Sequence, residues 1–307
     1  MNGPQVAWLP DGRRLHLNHG PIDLIIETFG EERERRRAHE AAVSRFQTVL
    51  AELVSELPEL RKPAGATPRR FAGSTATRME LAARRFHPRF ITPMAAVAGA
   101  VADEMLAAMT AAASLDKAYV NDGGDIAIHL TGEATMTAAI GGAGHGLADR
   151  IVIGAADPVR GIATSGWRGR SFSLGIADAV TVLAASAAAA DAAATIIANA
   201  VDLPGHPAIE RVPASEMAPD SDLGERPVTV AVGRLGQDEI RAALGNGAAV
   251  ADDCLRRGLI EAAALFLGGQ SVITGDVTRP ADGALPQPVA ARGPEWGGEA
   301  ALERVRI

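Results

Sequence analysis

The sequence predicts an α+β fold of mixed or antiparallel sheets with buried alanine-rich helices, arranged as two related subdomains. Three observations carry this. Many short apolar runs alternate irregularly with helical stretches, which disfavours a doubly wound parallel sheet. Three helical stretches are small and apolar on nearly every face, so other backbone must pack closely against them. The fragments AAVAGAVADE (95–104) and GAAVADDC (247–254) resemble one another and each precedes an apolar strand, which suggests a repeated helix–strand unit.

Taken in order, VAWL, the turn PDG, RRLHLN and PIDLIIETF read as a β-meander ending at Gly30. A helix is predicted over 31–57, with Ala42, Phe46, Val49, Leu50, Leu53 and Leu57 at helical spacing. RKPAGATPRR (61–70) breaks it. Thr77 is expected to cap a short helix through Arg85, Glu80 completing a capping box and Pro88 ending it. Thr92 as N-cap and Pro93 in the first turn open the first buried helix. KAYV, NDGGD, IAIHL and ATMTAAI read as strands around a glycine turn, and IVIGA, GIAT, RSFSL and AVTVLA add further β-structure. Ser186 to Ala200 forms the second buried helix, PVTVAVG (227–233) a strand, and 247–266 a third helix leading to the strand SVITG. One domain over 1–275 is expected, followed by a Pro- and Gly-rich tail over 276–307 that is extended or poorly packed.

Of the 307 residues 47% are hydrophobic and 22% charged, which fits a globular chain with a large core. The net charge of −7 argues against nucleic acid or an anionic membrane as partner. No apolar run is expected to span a bilayer, which needs about 20 residues. The opening MNGPQVAWLPDGRR lacks a basic segment followed by an apolar one, so a cytoplasmic protein is expected. The single Cys254 excludes an internal disulfide and a multi-cysteine metal site. The small-residue helices make a homodimer plausible. The cluster EERERRR (31–37) reads as a solvated, ion-paired helix face, whereas PRR (68–70) and ARRFHPRF (83–90) could hold an anion or simply be solvated.

Three segments carry candidate chemistry. Asn121, Asp122, Gly123, Gly124 and Asp125 make either a tight turn or a turn whose glycines admit a ligand beside flanking carboxylates. Thr164, Ser165 and Gly166, followed by Trp167, Arg168 and Arg170, make either a Ser/Thr turn or a phosphate cradle. Asp191 stands among alanines, with Thr195 on the same helix face at i,i+4. A lone carboxylate there must face water, accept from backbone amides or hold a cation, and an Asp with a Thr hydroxyl suits Mg2+. His145 and His87 are loop histidines or, if they reach a pocket, an acid or base. No catalytic residue is assigned.

In order and rough spacing, VNDGGDIAI, GIATSG and VTVLAASAAAADAAAT resemble segments of the ApbE family, the FAD:protein FMN transferases. The likeness to ApbE proteins covers roughly 92–200; a sister family of ApbE-like proteins, sharing a segment like HGPIDLIIE, resembles the chain to about 275. The resemblance implies an ApbE-like fold and a pocket for FAD, FMN or a related small anionic or nucleotide ligand. Asn121 to Asp125 and Thr164 to Gly166 would line it, Arg168 would add positive charge, and Asp191 and Thr195 would face Mg2+. Two departures accompany it. The stretch matching the family's HIIDP-like segment, SLGIADAVTV, has no histidine, and a lysine–glycine pair is represented by Ala98 and Gly99. The expected activity is therefore Mg2+-assisted chemistry on a flavin, related nucleotide or pterin-like cofactor, without standard flavinyl transfer. The alternative is a non-catalytic protein that binds or delivers such a cofactor.

Overall fold

The computed structural model describes residues 3–139 and 150–275; His145 and the tail from 276 lie outside the described residues. The opening meander comprises β1 (Gln5–Trp8), β2 (Leu15–His19) and β3 (Ile22–Phe29). Helices α1 (Glu32–Leu60), α2 (Ser74–Ala83) and α3 (Val97–Ala112) follow, α3 being entered through a 3-10 turn at Pro93–Ala96. The hairpin β4 (Lys117–Asp122) and β5 (Asp125–Leu130) precedes a second hairpin, β6 (Thr135–Ala139) and β7 (Arg150–Gly154). Next come β8 (Gly161–Ser165), β9 (Ala179–Ala184), α4 (Ala187–Ala200), β10 (Ile209–Pro213), α5 (Ala214–Met217) and β11 (Pro227–Val232). The last elements are α6 (Gln237–Arg256), β12 (Ala262–Leu267) and β13 (Gln270–Gly275).

Nine strands form one antiparallel sheet in the order β1-β2-β3-β4-β5-β8-β9-β12-β13. The order contains a repeat. A strand pair, a helical excursion and a second strand pair give β2-β3-β4-β5, and the same sequence of moves gives β8-β9-β12-β13. The two halves lie side by side through β5 and β8, and α3 precedes β4 as α6 precedes β12.

Alternation along the strands sorts the side chains into two layers. Leu24, Ile26, Val120, Ala127, Ala163, Val180, Val182 and Leu265 face the helices, where α1, α3, α4 and α6 pack in a row. On the other face Ile128, Leu130, Ile162 and Leu183 pack against Ile151 and Ile153 of β7. The α4 backbone lies against both neighbours. A Cβ on Gly99 of α3 would stand 2.3 Å from the Ala187 carbonyl oxygen, and one on Gly161 of β8 would stand 2.1 Å from the Ser186 carbonyl carbon.

Several local expectations differ from the structure. The helix starts earlier, at Ser74, so Thr77 lies inside α2 with its hydroxyl on the Gly73 carbonyl, and tertiary contact takes Glu80, which is buried and paired with Arg69 at 2.6 Å. The Thr92 hydroxyl donates to Asp222 instead of capping the turn at Pro93. RSFSL forms no strand: Ser173 accepts from the Thr229 amide and the Leu174 amide donates to Asn199. The helix predicted over 247–266 ends at Arg256, with Gly258 at φ 62°, and AAALFL is β12. A strand buried on both faces is as uniformly apolar as a buried helix, so periodicity does not separate them. Pro93–Ala112 is long and apolar enough to cross a membrane by length and composition, contrary to the expectation that no stretch would be; half of it is buried within the fold.

Gly161→Ala is expected to destabilise the protein by about 1–3 kcal/mol, because the methyl would push α4 off the sheet. Urea unfolding measures this, and an unchanged midpoint would show that α4 has room to move.

Candidate binding site

The β4–β5 turn is set by two glycines with positive φ, Gly123 at 62° and Gly124 at 118°, and the Asn121 Oδ1 accepts from the Gly124 amide at 2.8 Å. Asp122 and Asp125 therefore stand directly opposite each other across the hairpin, on the face turned toward the helices. Like charges in that relation repel. Asp122 is buried, and burial followed by the nearby Asp125 charge raises its pKa to about 7.

Asp125 reaches sideways to β8. Its Oδ1 accepts from the Thr164 amide at 3.2 Å, and its carboxyl also hydrogen-bonds that of Asp191. Asp191, in the second turn of α4, accepts from the Gly99 amide at 3.0 Å through Oδ2. The turn, the end of β8 and the alanine-rich helix thus meet at one point. Burial pushes Asp125 up to about 7, and burial with the Asp125 charge holds Asp191 well above the usual carboxylate range. Two abutting buried carboxyls share a proton between them.

Gly99 belongs to the first turn of α3, so Asp191 satisfies one of that helix's open amides. The reciprocal contact comes from Asp103 of α3, whose two oxygens accept from Ala187 and Ala188 at the start of α4 at 3.0 and 2.9 Å. Each helix caps the other with an aspartate. Asp103 was not among the candidates, although the sequence places it, like Asp191, in a run of small apolar residues.

The hydroxyls of Thr164 and Ser165 do not form one cradle, because neighbouring residues of a strand face opposite ways. The Thr164 Oγ1 is 2.9 Å from Thr181 Oγ1 on the far face, and Ser165 lies opposite Val180 on the helix side. At Gly166 a Cβ would stand 2.5 Å from the Asp178 carbonyl oxygen. Arg168 does not face the carboxylates: its Nε donates to Asp178 at 2.8 Å and its guanidinium lies 4.9 Å from the Trp167 ring centroid. Arg170 takes that place, with a terminal nitrogen over Gly123 and a charge that lowers the pKa of both Asp122 and Asp125.

Thr195, one turn beyond Asp191, points its hydroxyl at the Ala95 carbonyl at 3.5 Å. Asp191, Thr195 and the Ala95 carbonyl are an oxygen donor set of the kind a hard cation takes. Among the described residues no group of three or more His, Cys, Asp and Glu is arranged to hold a metal ion. Histidines are engaged elsewhere: His16 with Asp23, His39 with Thr28, His129 with the Leu115 carbonyl and His206 with Glu239. His87 is exposed beyond α2.

A family model described as AbpE bacteria matches residues 6–273. The chain belongs to this family. Its relatives include UPF0280 proteins of Methanopyrus kandleri (39% identical, 39% of this chain and 47% of that protein) and Methanothrix thermoacetophila (39% identical, 40% and 51%). A third, from Archaeoglobus fulgidus, is 33% identical over 51% of this chain and 61% of its own length. The chain spans about half the length of the curated relatives it matches. The apo crystal structure of Pseudomonas stutzeri flavinyl transferase ApbE aligns over 89% of this chain and 95% of its own, with 12% identity and a TM-score of 0.43. That likeness is too loose to equate residues.

The carboxyl cluster gives stability a definite pH dependence. Asp122 and Asp125 titrate near 7 in the folded chain and near 4 once unfolded, so between those values the folded state holds more protons. Stability should fall as pH rises from about 4 to about 7, by about 1.4 kcal/mol per pH unit for each proton held only by the folded state, and the proton kept by Asp191 extends the fall to higher pH. Melts across pH 4–8 measure the slope; a rise over that interval would contradict it. Asp191→Asn keeps an acceptor for Gly99 and offers Asp125 a donor, so the melting temperature at pH 7.5 should be equal or higher. A loss of about 1–3 kcal/mol would mark the Asp191 carboxylate as architecture alone.

Proposed function

We propose that the protein acts, together with Mg2+, on a flavin, a related nucleotide or a pterin-like cofactor held at the Asp125, Asp191 and Thr164 junction. The observation that carries this reading is the abutment of the buried carboxyls of Asp125 and Asp191. A divalent ion beside the pair would replace the retained proton and remove the repulsion. Asp191, Thr195 and the Ala95 carbonyl would hold it, in keeping with their all-oxygen chemistry. Mg2+ bound there would offset the charge of a ligand phosphate.

The chain's own groups define the rest. Asp125 is fixed in direction by the Thr164 amide, and Gly124 of the β4–β5 turn leaves room for a ligand to approach the backbone. Arg170 supplies positive charge at the turn, the part assigned from sequence to Arg168, which Asp178 occupies. Family membership and the resemblance of the three motifs to those of FAD:protein FMN transferases support the flavin class.

Flavinyl transfer itself is not proposed. The β8–β9 connection contains no histidine, and four of the histidines elsewhere are bonded to other partners. The same observation favours a second reading, in which the protein binds or delivers the cofactor without turnover.

Native mass spectrometry of ligand released from the purified protein tests the cofactor class; repeated recovery of a ligand lacking both a fused heteroaromatic ring and a phosphate would overturn it. Mg2+ should bind the wild type and flatten its pH slope, and Asp191→Asn should weaken that binding at least tenfold by calorimetry. Arg170→Gln should weaken FAD binding without altering Mg2+ affinity. With FAD, Mg2+ and a threonine-bearing acceptor, no covalent FMN should appear. Consumption of FAD, without FMN transfer, separates the acting protein from the carrier.

A further inference from the structure

At the β1 edge of the sheet, far from the carboxylates, strand and helix fail to close on each other. Val6 and Trp8, two residues apart on β1, overhang α1 and remain 46% and 53% exposed. Facing them are Arg35, His39 and Val43, which recur at i,i+4,i+8 on α1 and so form one stripe. Between them lies a groove of about 550 Å³ whose floor is Leu15. That volume is in the range of small-molecule pockets.

The polar groups of the groove are unevenly matched. Trp8 packs edge-on against His39, with ring centroids 5.0 Å apart. His39 is tied to the Thr28 hydroxyl at 3.0 Å, and burial, then Arg35, lower its pKa, so the imidazole is neutral and brings no charge. Three neighbouring arginines have carboxylates: Arg13 pairs with Glu27 at 2.7 Å, Arg36 with Glu32 at 3.3 Å and Arg37 with Glu34 at 3.1 Å. Arg35 has none among the described residues, and its Nε is shut off from water without an acceptor. A guanidinium without a carboxylate partner, beside the Trp8 and Val43 side chains, suits an anion with an apolar body.

We propose that this groove is a second binding site, specific for an aromatic monocarboxylate whose ring lies along Val6, Trp8 and Val43 and whose carboxylate pairs with Arg35. Arg35 supplies a positive charge that no carboxylate pairs among the described residues. Glu40 at the rim, together with Glu32, disfavours ligands of higher negative charge.

Calorimetry with 2-naphthoate and its neutral counterpart 2-naphthalenemethanol tests this on the intact chain. One equivalent of 2-naphthoate should bind the wild type at least tenfold more tightly than the alcohol. Arg35→Gln should bring the acid down to the alcohol's affinity while leaving the alcohol's unchanged. Quenching of tryptophan fluorescence by 2-naphthoate should disappear in Trp8→Phe. Equal affinity of acid and alcohol for the wild type, absence of saturable binding, or quenching that survives Trp8→Phe would each overturn the proposal. The wild-type comparison decides it even if Arg35→Gln does not fold.

Discussion

The structure depends on the approach of α4 to α3 on one side and to β8 on the other at backbone distance. Gly99 and Gly161 are the points where no side chain fits, and the alanines of α4 keep the rest of its surface narrow enough to follow. Burying the start of a helix between two other elements leaves its first amides without water, and they need acceptors. Ser186 serves Ala189, and Asp103 serves Ala187 and Ala188. The exchange is mutual, because Asp191 serves Gly99.

That packing also sets the electrostatics of the candidate site. Once Asp191 is committed to the crossing of the two helices, the register of β5 against β8 delivers Asp125 to the same place, and the two-residue turn delivers Asp122 opposite Asp125. Acidic groups accumulate because three backbones converge, and the exposed Arg170 stands against them. The same geometry that satisfies the helix ends therefore gathers three carboxyl groups with raised pKa values at a glycine turn.

The repeated strand pairs explain why the site falls where it does. It lies at the seam of the two halves, where β5 meets β8 and the helical layers of the halves touch through α3 and α4. At the far edge the repeat is broken by β1, which has no counterpart beyond β13 among the described residues. Its overhang above α1 leaves the groove that holds Arg35.

Much of this was legible in the residues themselves. Short apolar runs bounded by turn residues marked the meander, the β4–β5 hairpin and β9, alanine content marked helices that had to be buried, and the isolation of Asp191 among methyl groups signalled an obligatory partner. These are local quantities: what a segment buries, and what a polar group in it costs. Which partner answers that need is decided only when chains distant in sequence meet. Asp191 found Gly99 and Asp125, Thr92 found Asp222, Arg168 found Asp178 and left the turn to Arg170, and Ala95 offered a carbonyl that no sequence pattern marks. AAALFL became a strand for the same reason: its composition specified burial, and only the free edges of β9 and β13 specified the hydrogen bonds it would make.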